Sequence, residues 1–187
     1  MAGADEGAGC FYSGAPGEEA EIAVKINTYN LITGELEMII LTSNGLSSDK
    51  LLDETRKHTN SKGKAAIITT ASVGYKEKDW HIPRLTEELQ HIGLSVTYFD
   101  VEFEDPQLLL MYDVVEIIGG NPFYLLNQMR KQNAKVVLSE IAKSKVLIGI
   151  SAGSVVLQNT ISLIAKYSTE MNEDINLTDL AGLALTE

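Results

Sequence analysis

Cysteine is almost missing from this sequence: Cys10 stands alone. A single thiol closes no internal disulfide, which fits a reducing compartment. Histidine is scarce too, with His58, His81 and His91 scattered along the chain. No ligand spacing emerges from them, so neither a metal nor a cofactor is expected. Long apolar runs are also lacking. The longest, around 145–150, is strand-sized, far short of the roughly 20 residues that span a bilayer, and no membrane partner is expected. The first twenty residues are rich in Gly, Ala and acids. They have neither the basic start nor the apolar core of a secretion signal, so a cytoplasmic location is the default expectation. Basic charge is in the minority, with 15 Lys and Arg against 26 Asp and Glu, for a net −11. An acidic chain repels phosphate backbones, which argues against a nucleic-acid partner.

What is present points to one α/β unit with an irregular extension. The chain has 187 residues, 44% hydrophobic and 22% charged, enough for a single core. Residues 1–36 form a glycine- and acid-rich N-terminal extension, expected as a hairpin or as disorder. Within it Ala20, Ile22, Val24 and Ile26 alternate as in a half-buried strand. From 37 to 187 the pattern becomes regular. Apolar runs at 38–42, 64–70, 94–99, 113–118 and 146–150 read as strands, and their continuous apolarity implies burial on both faces. Helices are expected from Ser48 or Asp49 to about Lys57, over about 77–92, from Asn121-Pro122 onward, and over about 134–142. The helix at 77–92 carries Trp80, Leu85, Leu89 and Ile92 at helical spacing. Its Pro83 fits only in a first turn, which moves the start toward Ile82. Alternating strands and helices predict a mainly parallel sheet sandwiched by helices.

Two motifs fall at strand ends, where ligands bind in such sheets. Gly149-Ile150-Ser151-Ala152-Gly153 follows the last strand directly. A serine hydroxyl attacks only when a base takes its proton and donors hold the oxyanion. The G-x-S-x-G spacing lifts the serine onto a tight strand-to-helix turn and aims a helix N-terminus at it. Ser151 is the candidate nucleophile and the Ala152 amide a candidate oxyanion donor; a small residue in a tight turn is the bland alternative. Gly119-Gly120-Asn121-Pro122 is the second motif. The glycines allow close backbone approach to a ligand, and their amides are candidates for the second oxyanion donor; Gly119 and Asn121 are candidate substrate contacts. Its bland alternative is a plain turn, with Asn121 as N-cap and Pro122 at the first helical position.

Residues 38–187 resemble the peptidase E family of serine peptidases, whose fold is like that of class I glutamine amidotransferases. The resemblance rests on Ile39-Ile-Leu-Thr-Ser-Asn-Gly45, Ile117-Ile-Gly-Gly-Asn-Pro-Phe-Tyr-Leu-Leu126 and Leu147-Ile-Gly-Ile-Ser-Ala-Gly-Ser154. It implies hydrolysis of small peptides through an acyl-enzyme on Ser151, with the Gly120 and Ala152 amides as oxyanion hole. It also implies a catalytic histidine shortly beyond a stretch like 180–185, whereas this chain ends at Glu187. The expectation is therefore a C-terminally incomplete relative, with a catalytically inactive or ligand-binding protein as the alternative. His58, His81 and His91 precede the motif and match no family catalytic position, and Glu170, Asp174 and Asp179 read as solvated acids. Arg84 and Lys166 are the only nominations for a substrate cation contact. Residues 9–24 look somewhat like a hairpin of GNAT-type N-acetyltransferases, without the coenzyme A pyrophosphate loop. A small peptide is the expected partner, and a homodimer stays open.

Overall fold

The structure, a computed structural model, describes residues 26–29, 36–60 and 62–186. Its strands are β1 (Ile26–Tyr29), β2 (Leu36–Thr42), β3 (Lys64–Ile68), β4 (Ser95–Phe99), β5 (Val114–Ile117) and β6 (Val146–Ile150). They form one sheet in the order β1-β2-β6-β5-β3-β4. Five strands are parallel, and β1 joins the edge antiparallel to β2. The hairpin expected before residue 25 lies outside the described residues.

The apolar runs become strands because helices cover both faces. The principal helices are α1 (Asp49–Lys57), α2 (Ile82–His91), α3 (Pro122–Lys131), α4 (Ala134–Ser144) and α5 (Ala152–Leu157), followed by the single turn α6 (Ile164–Tyr167). The β2-to-β3 and β3-to-β4 crossovers run one way across the sheet, and the β5-to-β6 crossover runs the other. Right-handed crossovers therefore put α1 and α2 on one face and α3 and α4 on the other. The neighbouring strands β5 and β3 send their chains to opposite faces, which opens a crevice at their carboxyl ends.

Local chemistry sets the helix ends. Ser48 caps α1 by accepting from the Leu51 amide at 3.4 Å, and Asn121 caps α3 by accepting from Phe123 and Tyr124 at 2.9 and 3.0 Å. Pro83 falls in the first turn of α2, as its missing amide requires. Trp80 corrects an expectation. It precedes α2 and is exposed, and the buried face of that helix is Ile82, Leu85 and Leu89. Asp79 accepts from the His81 amide at 2.9 Å in the turn that precedes α2.

One strand breaks the apolar rule. Every residue of β5 is buried, including Glu116, and neither of its carboxyl oxygens has a hydrogen-bond partner among the described residues. Burial pushes this carboxyl up to about 8; the nearby Glu88 adds to the rise and Arg84 opposes it. Glu116 is therefore mainly protonated, and neutral, at pH 7.

Candidate active site

The bend at Ser151 is built from backbone fit. The Ser151 amide still donates to Thr42 of β2 at 2.9 Å, and α5 begins at the very next residue. To reverse so sharply Ser151 takes φ 48° and ψ −109°, a conformation costing on the order of 1–3 kcal/mol for a residue with a Cβ. The reversal also needs α5 to lie against β5. A Cβ on Gly153 would stand 2.2 Å from the Ile117 carbonyl oxygen, so glycine alone permits this approach. Ser154 then locks the bend. Its hydroxyl lies 2.8 Å from the Thr42 carbonyl and 2.5 Å from the Gly149 carbonyl, and it accepts from the Thr42 amide at 3.2 Å. The result is an exposed Ser151 whose Oγ has no hydrogen-bond partner among the described residues.

The second motif faces it across a short gap. A Cβ built on Gly119 would lie 3.2 Å from Ser151 Cβ and 3.6 Å from its Oγ, so the two strand-end loops are in contact. Gly120 takes φ 136°, and a Cβ there would collide with the Ala71 carbonyl at 2.2 Å. The amides of Gly119, Gly120 and Ala152 donate to no protein acceptor among the described residues. Free amides beside an exposed hydroxyl make an arrangement able to hold a developing oxyanion. Asn121 is otherwise engaged: its oxygen caps α3, and its Nδ2 donates to the Met171 carbonyl at 2.7 Å.

A third loop, residues 69–81 after β3, completes the crevice and was not marked by any motif. Asn121 donates its amide to Ala71 at 2.8 Å, which fixes this loop against the glycines. Ser72 donates to Asp79 Oδ2 at 2.5 Å, and Asp79 Oδ1 lies 2.9 Å from His81 Nδ1. Burial opposes ionisation of Asp79, yet the hydrogen bonds from Ser72 and His81 outweigh it and hold the carboxyl below its ordinary 3.8. Lys76 has φ 53° and lies 2.9 Å from Asp100 and 3.0 Å from Glu102. The sequence signal available was Asp79 two residues before His81 and four before Pro83, a capping pattern at a helix start.

The remaining sequence candidates sort by the ends of their elements. His58 closes α1 and His91 ends α2, at the amino edge of the sheet and away from Ser151. His81 starts α2 at the carboxyl edge, but it bonds Asp79 and not Ser151. Glu170, Asp174 and Asp179 are exposed, and Asp179 pairs with Arg130 at 3.3 Å. Arg84 is held by Asn44 at 3.0 and 2.9 Å and by Glu88, leaving no free cation there. Lys166 is exposed on α6. No group of three or more potential metal ligands occurs among the described residues, and no helix among them is long and apolar enough to cross a membrane.

Comparison with known proteins identifies the family and matches the fold. The model of Peptidase family S51 fits residues 39–187. Two uncharacterized peptidases, from Listeria monocytogenes and Listeria innocua, are each 28% identical over 138 residues; these cover 71% of this chain and 67% and 66% of theirs. A crystal structure of a Listeria monocytogenes protein described as a candidate peptidase E superposes with a TM-score of 0.64 at 27% identity, covering 79% of this chain and 75% of that one. A peptidase from an acI-B1 actinobacterium shares the fold, with a TM-score of 0.57 at 16% identity over 80% of this chain and 64% of that one.

Proposed function

The chain belongs to peptidase family S51, and from that membership and the bend at Ser151 we propose that it is a serine-type peptidase of the peptidase E kind acting on small peptides. Family membership supports peptidase chemistry; the exposed Ser151 beside unpaired amides is the observation that carries the finer reading. Ser151 Oγ attacks the scissile carbonyl carbon, and the Gly120 and Ala152 amides take up the charge that develops on its oxygen. The scissile C–N bond then breaks, the proton shed by Ser151 Oγ leaves on the amine, and water hydrolyses the acyl ester, one of its protons restoring the Ser151 hydroxyl. The strained φ of Ser151 holds the hydroxyl clear of side chains before substrate arrives, so no reorganisation is needed in the transition state.

A second reading follows from one observation: no histidine is hydrogen-bonded to Ser151 among the described residues. On that reading the crevice binds a peptide or a related ligand without turning it over. Hydrolysis of a dipeptide panel, compared between the wild type and Ser151→Ala, separates the two. The peptidase reading expects turnover that Ser151→Ala removes by about three orders of magnitude or more. Turnover surviving in Ser151→Ala contradicts a serine mechanism, and binding without turnover in either protein favours the second reading.

A further inference from the structure

The loop that follows β2 is gripped from two sides, by the bend at Ser151 and by α2. Toward the bend, the Thr42 carbonyl accepts from the Ser151 amide at 2.9 Å and from the Ser154 hydroxyl at 2.8 Å. The Thr42 amide donates back to that hydroxyl at 3.2 Å. The Thr42 side chain faces the loop instead, its hydroxyl accepting from the Gly45 amide at 2.9 Å. Thr42 is buried, and it ties the loop directly to the backbone that carries the candidate nucleophile.

Toward α2 the grip is charged and two-pronged. Arg84 donates through one guanidinium nitrogen to the Asn44 carbonyl at 3.0 Å and through the other to Asn44 Oδ1 at 2.9 Å. Glu88, one helical turn further on, accepts from the Leu46 amide at 2.8 Å and pairs with Arg84. Gly45 lies between them at φ 79°. A Cβ there would stand 2.7 Å from both Glu88 Oε2 and a Leu85 methyl, and 3.1 Å from the Arg84 guanidinium. The Glu88 side chain is 12% exposed, so its charge is largely shielded from water, where such bonds count for more. Three successive residues, 44–46, are thus clasped by two side chains of one helix.

We propose that Arg84 and Glu88 are positioning residues for Ser151: through the 42–46 loop and the Thr42 carbonyl, they hold the strained bend that presents its hydroxyl. The proposal rests on the peptidase reading for the role of Ser151. A residue with a Cβ stays at φ 48° and ψ −109° only while its surroundings over-determine those angles. The bond from the Ser151 amide to Thr42 is one such constraint, and the clasp sets where Thr42 sits. With the guanidinium gone, Asn44 loses both of its bonds and Glu88 keeps an unpaired charge against the Gly45 turn. The turn then loosens, Thr42 loses its Gly45 partner, and Ser151 relaxes toward ordinary backbone angles. Neither α2 residue touches the reacting atoms in this account.

Phosphonylation of Ser151 by a fluorophosphonate, followed over probe concentration, separates probe affinity from the rate constant at saturation. Arg84→Ala should lower that rate constant at least about tenfold while affinity stays within about twofold. Arg84→Lys keeps the charge without the planar fork and should also lower it, so it decides the matter if Arg84→Ala fails to fold. Ile82→Val trims the buried face of the same helix away from the clasp and should leave the rate constant unchanged. A folded Arg84 variant that reacts like the wild type overturns the proposal, as does an Ile82→Val protein slowed just as much. Amide hydrogen exchange reads the clasp without chemistry: the Ser151 and Gly45 amides should exchange at least about tenfold faster in the Arg84 variant. Faster exchange in a protein whose wild type takes no label keeps the clasp and removes the nucleophile. Exchange unchanged at both amides overturns the clasp whether or not Ser151 is labelled.

Discussion

Two walls border Ser151, and they are held by different physics. On one side the Gly119-Gly120 loop and the bend into α5 are fixed by steric fit, with backbone atoms so close that a Cβ would collide at 2.2 Å at both Gly120 and Gly153. On the other, residues 69–81 are fixed by side-chain pairs: Ser72 to Asp79, Asp79 to His81, and Lys76 to Asp100 and Glu102. Steric fit leaves glycines in the sequence at fixed spacing. Pairing leaves residues that resemble any other polar surface. The first wall is intolerant of a single methyl group, and the second should give way in steps.

The largest expected effect lies in β5, the strand between the two walls. The Glu116 carboxyl rises to about 8 in the fold from an ordinary 4.5, a difference equivalent to about 4–5 kcal/mol. Between those values the unfolded chain binds fewer protons than the folded one, so stability falls as pH rises from 4.5 toward 8 and levels off above. Glu116→Gln should flatten this slope and unfold at higher urea than the wild type at pH 9, with little difference at pH 4. A wild-type slope that survives in the variant removes this account of Glu116.

Next in size is the steric wall. Gly120→Val places a side chain against the Ala71 carbonyl at a φ of 136° and should cost roughly 3 kcal/mol or more, seen as a lower urea midpoint. Ser154→Ala removes the hydroxyl that ties Thr42 to Gly149 and should cost about 1–3 kcal/mol. The paired wall should respond least. Lys76→Met leaves Asp100 and Glu102 half-buried without their shared cation and is expected to cost about 1–2 kcal/mol while the bend at Ser151 keeps its reactivity. If Lys76→Met proves as damaging as Gly120→Val, the contrast between the walls fails.

The same contrast explains what the sequence made legible. Strand positions, the Ser48 and Asn121 caps and the bend at Ser151 were readable because apolar runs, capping residues and glycine spacing are local signals. Pro83 likewise moved the start of α2 to Ile82. Trp80 is the exception, since helical spacing puts it on a core face whereas α2 begins only at Ile82 and Trp80 lies exposed before it. Ser154 lies inside the Leu147–Ser154 motif with no role visible in the sequence, because its partner Thr42 is 112 residues away. The Lys76 cluster and the unpartnered Glu116 depend on strand order, which brings β3, β4 and β5 together, and no single segment announces that.

The account turns on Ser151 being an accessible nucleophile beside free amides. Incubating the native protein with a fluorophosphonate probe and mapping the adduct by mass spectrometry tests this most directly. The expected result is one adduct, on Ser151, absent from Ser151→Ala and undiminished in Lys76→Met. A folded protein that takes no label, or takes it on Ser72 or Ser154 instead, contradicts the account.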